Sequence, residues 1–153
     1  MTTHEFTLDM PHSAARIWAL FQDYDRWTDY APMVHRVDVL WTGDEDHNGR
    51  LRRVFYRLPG DETGTALELV TDVVPERGHT YTMLSRDGND HIGHVRLEPL
   101  GPNRTMLYFD ETAEMDPEAY EFVNRHNEEH FRNASRYLDD HPEYRQDLID
   151  PEG

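Results

Sequence analysis

Residues 4–10 alternate between two faces. His4, Phe6, Leu8 and Met10 lie on one side and Glu5, Thr7 and Asp9 on the other, the period of a half-buried strand. Pro11 ends it. Ser13 is a suitable N-cap, and the spacing predicts a helix over 14–22 with Ile17, Trp18, Leu20 and Phe21 as its apolar stripe. A second short helical stretch, 25–30, stops ahead of Pro32, because the residue before a proline avoids the helical region.

From residue 33 the period becomes two. Residues 33–41 put Met33, His35, Val37, Val39 and Trp41 on one face. A polar turn over 43–49 leads to a strand over 50–58, closed by Pro59-Gly60. Residues 65–74 align Leu67, Leu69, Thr71 and Val73 against Glu68 and Asp72. Further strands are predicted over 79–85, over 91–97 with His91, Gly93, Val95 and Leu97 together, and over 105–115 with Leu107, Phe109, Glu111, Ala113 and Met115 together. The turns between them fall at 75–78, 87–90 and 101–103. Asp116 then caps, and Pro117 opens, a long helix reaching about residue 140. Its inner stripe is Tyr120, Val123, Asn127, His130, Phe131, Ala134, Tyr137 and Leu138.

This order predicts a seven-stranded antiparallel sheet whose apolar face the long helix must cover, an α+β architecture. One domain is expected over 1–141, followed by a polar tail, 142–153, expected to fray. No stretch approaches the ~18 apolar residues of a membrane span. No basic segment followed by an apolar one opens the chain, so the default expectation is a cytoplasmic protein.

Charge narrows the partners. Thirty-one acidic residues face 15 basic ones, all arginine, for a net charge of −16. Such a field repels a phosphate backbone and an anionic bilayer, so neither nucleic acid nor a membrane is expected as partner. There is no cysteine, which removes disulfides, thiol catalysis and thiolate metal sites.

The opening strand, Pro11, the helix carrying Ala15, Ile17 and Trp18, then Asp23, Trp27 and Val37-Asp38-Val39-Leu40 resemble the N-terminal signature of the SRPBCC superfamily, also called START-like or Bet v1-like. Val70-Thr71-Asp72-Val73-Val74-Pro75 is similar to the fourth strand of the bacterial polyketide aromatase/cyclases within it. Arg104-Thr105-Met106-Leu107-Tyr108-Phe109, Met115-Asp116-Pro117 and the segment 124–138 resemble their last strand, its exit and their C-terminal helix. The resemblance implies a helix-grip fold, a curved sheet around the long helix with a cavity between them. It implies a hydrophobic or aromatic small-molecule partner, with an acyl carrier protein as a further candidate, and aldol cyclisation and dehydration of a poly-β-ketone without a cofactor. Relatives of the same fold only bind or carry hydrophobic molecules, so carriage or sequestration is the alternative. The aromatase/cyclases commonly carry an arginine near the end of the fourth strand, where this chain has Val73. A tyrosine that some members carry after the helical pair corresponds here to Val34.

Polar residues on otherwise apolar faces are the candidate chemistry. Cyclisation needs a base for an acidic α-proton and donors that polarise the ketone. His91 and His130 are candidate bases, and Glu111 is a candidate acid or an orienter of an imidazole. Tyr30, His35, Tyr56, Tyr81 and Asn127 are candidate hydrogen-bonding residues, and Trp41, Leu69 and Phe109 candidate apolar walls. Each is also readable as an ordinary packed or hydrogen-bonded residue. His126-Asn127-Glu128-Glu129-His130 matches the H-x-x-E-H zinc-peptidase pattern. Glu129, however, lies about 100° from His130 around the helix, toward the solvent side, so no metal is expected.

Overall fold

The alternation of the first residues is realised as strand β1 (Thr2–Met10). The structure, a computed structural model, describes residues 2–85 and 88–149. Ser13 caps helix α1 (Ala14–Gln22) by accepting from the Arg16 amide. The expected second helical stretch is a single 3-10 turn, Tyr24–Arg26, running into the short helix α2 (Trp27–Tyr30). Strands β2 (Val34–Trp41), β3 (Arg50–Leu58), β4 (Glu62–Val74), β5 (Gly78–Ser85), β6 (Gly88–Gly101) and β7 (Arg104–Ala113) follow, then helix α3 (Pro117–Asp140).

The strands form one antiparallel sheet in the order β1-β7-β6-β5-β4-β3-β2. Each of β2 to β6 pairs with its successor, and β7 also pairs with β1; the helical connection from β1 to β2 spans the sheet from edge to edge. Register shifts in β2, and a bulge between Thr71 and Val74 with Asp72 at positive φ, bend the sheet. Helix α3 lies in the resulting concavity, the helix-grip arrangement. Asp116 accepts from the Glu118 amide at its start, with Pro117 in the first turn.

The core occupies one end of that concavity. Met10, Ile17, Leu20, Leu107 and Leu138 are fully buried there, beneath α1 and the C-terminal half of α3. The inner stripe of α3 is as the spacing predicts, but only Tyr120 is buried in its first three turns. The N-terminal half of α3 therefore roofs a space and does not fill it.

A buried arginine closes the other end of α3. Arg16 donates through Nε to the Tyr144 carbonyl (2.7 Å) and through Nη2 to the carbonyls of Leu138 (3.2 Å) and His141. These include acceptors that a helix C-terminus leaves unpaired. Its Nη1 donates to His12 Nδ1 (3.1 Å), so the His12 proton sits on Nε2, facing Asp139 at 2.8 Å. Tyr144 packs against the core and donates to Asp23 (2.9 Å). The segment 143–149, expected to fray, is thus held against α1, because Arg16 offers donors that its backbone can use.

Several boundaries shift. Strands β1, β4 and β6 begin earlier than the alternation indicates, and β6 runs on to Gly101; β7 ends at Ala113, leaving Met115 beyond it. Asn89 and Asp90, read as a turn, belong to β6; residues 86–87 of that turn and 150–153 of the tail lie outside the described residues. The faces of β4 are inverted: Ala66, Glu68 and Val70 point inward, and Leu67 and Leu69 cover the outer face. The register explains this, because Glu68 pairs across with Arg52 on the inner side.

Replacing Arg16 by Met would leave the Leu138, His141 and Tyr144 carbonyls without their donor. We expect a loss of about 3 kcal/mol in urea unfolding. A loss below about 0.5 kcal/mol, the range of an ordinary surface change, would show that the guanidinium does not hold this end of the fold.

Candidate functional site

Two adjacent rows across the inner face carry most of the polar side chains. One runs Arg52, Glu68, Met83, His91, Ala113 through β3 to β7. The next runs Arg50, Val70, Tyr81, Gly93, Glu111, His4 through β3 to β7 and on to β1. Side chains in a row stand on one face, and neighbouring rows are two residues apart along each strand.

Glu111 is the centre of the second row. It is 1% exposed. The Tyr81 hydroxyl donates to Oε2, His91 Nε2 stands 2.8 Å from the same oxygen, and Asn127 of α3 donates to Oε1 at 3.0 Å. The Tyr120 hydroxyl donates to the Glu111 carbonyl (2.8 Å). Tyr81 reaches across two interstrand spacings, roughly 9–10 Å. It does so because the intervening residue is Gly93: a Cβ there would lie only 2.2 Å from Tyr81 Cζ. Burial, then the charges of Glu111 and Glu68, hold the Tyr81 phenol well above its ordinary range, so it remains a donor at neutral pH.

Arg52 and Glu68 form the second centre. Arg52 Nε donates to Glu68 Oε1 (2.8 Å) with both side chains buried. The Tyr56 hydroxyl donates to Glu68 Oε2 (3.4 Å). The Tyr24 oxygen accepts from Arg50 (3.2 Å) and Arg52 (3.3 Å). Burial opposes the Arg52 charge, but Glu68 and Tyr24 outweigh it and the guanidinium holds its proton above the ordinary value. Burial, then Glu68, raises Tyr56 well above its ordinary range, so it too is a phenol at neutral pH.

The space between helix and sheet has two parts. The outer cavity, about 650 Å³, is walled by Met33, Leu58, Met83, Met115, Phe122 and Val123, with His91 and Glu111 in its lining and exposed Glu62 and Ala119 at its rim. The inner chamber, about 50 Å³, lies beside Trp27, Arg52, His79, Phe109, His130 and Phe131. Tyr56, Glu68, Tyr81, His126 and Asn127 border both. The inner histidines are neutral at pH 7. Burial, then Arg52 and Arg50, lowers His79 to about 3. Burial lowers His126 to about 4 against the pull of Glu111. Burial, then His126 and Arg52, lowers His130 to about 3.

Of the candidates from the sequence, the structure brings His91, Glu111, Tyr56, Tyr81 and Asn127 together. Phe109 lines the inner chamber, packed on Phe6 and Phe131. His130 also lines that chamber, edge-on to Trp27, Tyr30 and Phe131, in a different part of the space from His91 and Glu111. Four expectations need correction. Tyr30 is core, its ring against His130 and Tyr137 and away from the lining of both spaces. His35 is turned to the outer face, against Phe55, by the register shift between Val34 and Arg36. Trp41 is 66% exposed on the edge strand β2, past a second shift. Leu69 faces outward with its strand's inverted alternation. Glu129 is exposed and, among the described residues, no three metal-ligating side chains cluster.

Sequence reasoning missed Arg52, Glu68, Tyr24 and His79. One signal for the ion pair was available. A three-residue turn over Pro59–Asp61 pairs Leu58 with Glu62, and the same register carried along the hairpin places Arg52 opposite Glu68. Val73, where the resemblance puts an arginine near the end of the fourth strand, is buried, and Arg52 of the third strand lines the inner chamber.

A family model described as polyketide cyclase / dehydrase and lipid transport matches residues 1–138. No curated protein sequence matches the chain. The aromatase/cyclase Zhui from Streptomyces sp. R1128 superposes with a TM-score of 0.75 at 17% identity, covering 92% of this chain and 94% of that one. The di-domain ARO/CYC StfQ of the steffimycin biosynthetic pathway gives 0.74 at 15% identity over 92% of this chain, which spans only 51% of that protein. A START superfamily protein from Mycobacterium smegmatis gives 0.68 at 17% identity, covering 89% and 93%. At these identities the superpositions establish the shared fold.

Two outcomes are expected of the site's packing and charge. Gly93→Ala should cost about 2 kcal/mol by overpacking against Tyr81. The cost should largely vanish in a Tyr81→Ala background, and an equal cost in both backgrounds would refute the steric account. His79, His126 and His130 titrate lower in the folded chain than the ordinary ~6.5 expected on unfolding. The unfolded state then binds more protons, and stability present above pH ~6.5 is lost as pH falls through that value. The slope should approach three protons, about 4 kcal/mol per pH unit near pH 5. Urea midpoints unchanged between pH 7 and pH 5 would contradict it.

Proposed function

The chain belongs to the polyketide cyclase / dehydrase and lipid transport family, and we propose that it is a cofactor-independent cyclase of a poly-β-ketone or related hydrophobic intermediate, with Glu111, Tyr81 and His91 as its acid/base group. One observation carries this reading. A carboxylate is buried at the wall of a largely apolar cavity, and a phenol, an imidazole and an amide converge on its two oxygens. Burying a carboxylate costs several kcal/mol even when it is well paired, and a cavity that only stores an apolar molecule has no use for it.

The chemistry follows from the groups. The substrate enters past Met33, Leu58 and Phe122 and lies along the outer cavity. The Glu111–His91 pair takes an α-proton made acidic by two flanking carbonyls. The resulting enolate carbon attacks a second ketone of the same chain, forming the C–C bond, while the Tyr81 or Tyr56 phenol stabilises the developing alkoxide. The alkoxide takes a proton to become a hydroxyl. Loss of that hydroxyl with a further α-proton releases one water and gives the conjugated ring. Every step is a proton transfer, an addition or an elimination of water, so no oxidant is consumed. His130, weakly basic in its aromatic surroundings, serves as wall. Delivery of the chain on an acyl carrier protein belongs to the same reading, as does function in the cytoplasm.

The apolar character of the outer cavity favours a second reading, binding and carriage of a hydrophobic molecule without chemistry. Glu111→Gln separates the two. It removes the base while keeping an acceptor for Tyr81. We expect turnover of a poly-β-ketone substrate to fall 100-fold or more, with ligand affinity within about threefold of wild type by fluorescence titration. Undiminished turnover would remove Glu111 from the chemistry, and absence of turnover in the wild-type protein would favour carriage.

A further inference from the structure

The inner chamber has features that the proposed cyclisation does not use. Among the described residues, Nδ1 of His79 and Nδ1 of His126 are buried without a hydrogen-bond partner, and both rings line this one small space. Arg52 spends Nε on Glu68 and Nη1 on Tyr24, and no described residue takes its Nη2. Tyr56 and Tyr81 border the space too, with their hydroxyl protons given to Glu68 and Glu111 and only their oxygens left as acceptors. Hydrogen-bonding capacity without a partner is thus concentrated where the rest of the lining is aromatic and aliphatic. Buried polar groups ordinarily find partners, so such a concentration points to a polar guest.

Size and charge restrict that guest. A cavity of about 150 Å³ is known to hold benzene and a water occupies about 30 Å³. The chamber, at about 50 Å³, therefore takes an oxygen and its carbon but no ring. The outer cavity, at about 650 Å³, takes a body of several rings. The two share Tyr56, Glu68, Tyr81, His126 and Asn127, so one molecule can occupy both. A second carboxylate would lie beside Glu68, whose own partner is already Arg52. A cation would lie beside Arg52 among histidines that do not accept a proton at pH 7. An uncharged ketone or hydroxyl meets neither obstacle: the ketone accepts from an imidazole N–H, and the hydroxyl pairs with either tautomer.

We propose that the inner chamber is a recognition subsite for one uncharged oxygen function at the leading end of the ligand. This rests on the reading of the outer cavity as a ligand site. It adds a specificity rule: anchoring the leading oxygen between His79, His126 and Arg52 fixes which carbon of the chain lies at Glu111. The chamber measures the chain from its end, and Glu111 acts at a set distance from it.

Binding of three probes of similar size, 2-naphthol, 2-methylnaphthalene and 2-naphthoate, tests this without any turnover. Wild-type protein should bind naphthol at least tenfold more tightly than either of the others. In His79→Phe and in His126→Phe the preference over methylnaphthalene should fall to about twofold. In Glu111→Gln it should persist. Equal binding of naphthol and methylnaphthalene by wild-type protein would mean that the chamber takes water only, and would overturn the proposal. So would a preference that survives both histidine variants, or one lost only in Glu111→Gln, which would place the oxygen on Glu111 and leave the cyclase reading intact. Should the variants fail to fold, nitrogen NMR of wild-type imidazoles decides: naphthol must shift the Nδ1 signals of His79 and His126, and unmoved signals overturn the proposal.

Discussion

Glu111 joins the two halves of the fold at a single residue. Its carboxylate holds Tyr81 from β5, His91 from β6 and Asn127 from α3, and its carbonyl holds Tyr120 from the first turn of α3. The N-terminal half of that helix has little apolar surface against the sheet, so these bonds fix its height above the cavity. Hydrogen bonds to a charged group contribute roughly 1.5–3 kcal/mol each, against about 1 for neutral ones. The roof of the cavity is thus set by the group that faces into it. Truncating Glu111 would remove these acceptors and alter the shape of the space, and Gly93 belongs to the same constraint, because only a residue without a side chain lets Tyr81 lie across β6.

The interior and the surface follow opposite electrostatic rules. Acidic residues dominate the exterior, giving the net charge of −16. Inside, Arg50 and Arg52 stand with Glu68 and Tyr24, and the nearby histidines are held neutral by burial, with Arg52 adding to it at His79 and His130 and Arg50 at His79. Burial opposes the acidity of Tyr24, yet Arg52 and Arg50 win and bring its phenol below the ordinary value. The inner chamber is therefore a place of strong, fixed dipoles with few mobile protons. Glu111 and His91 stand instead in the lining of the outer cavity.

The sequence made the sheet, its strand count and the gripping helix legible, because turn residues punctuate nearly every strand and Asp116-Pro117 marks the helix start. It also made Glu111, His91 and Asn127 legible, since each interrupts an otherwise apolar face. It misled where a face was chosen by hydrophobicity alone. β4 offers Leu67 and Leu69 on one side and Ala66, Glu68 and Val70 on the other, and the leucines look like the buried set. The outer face of this sheet is itself half-buried leucine, from Leu51 to Leu84, so apolarity does not distinguish inside from outside. His35 and Trp41 were displaced by register shifts in β2, which depend on pairing with β3 and leave no mark in the local pattern. His79 follows β5's alternation into the chamber, but a lone histidine near a turn carries no sign of its burial.

The Arg52–Glu68 pair bears on what the cavity is for. Replacing a buried ion pair by apolar residues of similar volume is often neutral or stabilising, so stability alone does not call for it here. A store for a hydrophobic molecule would be better served by leucines at both positions. The pair instead keeps Tyr56 oriented toward the shared border of the two spaces and supplies charge to the chamber beyond it. Glu111 does the corresponding work in the adjacent row. Two carboxylates, each bound to a different phenol, thus stand one row apart on the same curved face, with apolar walls leading to them and neutral imidazoles behind. On the proposed reading, that arrangement orders a polar ligand along its length and presents a base to one point on it.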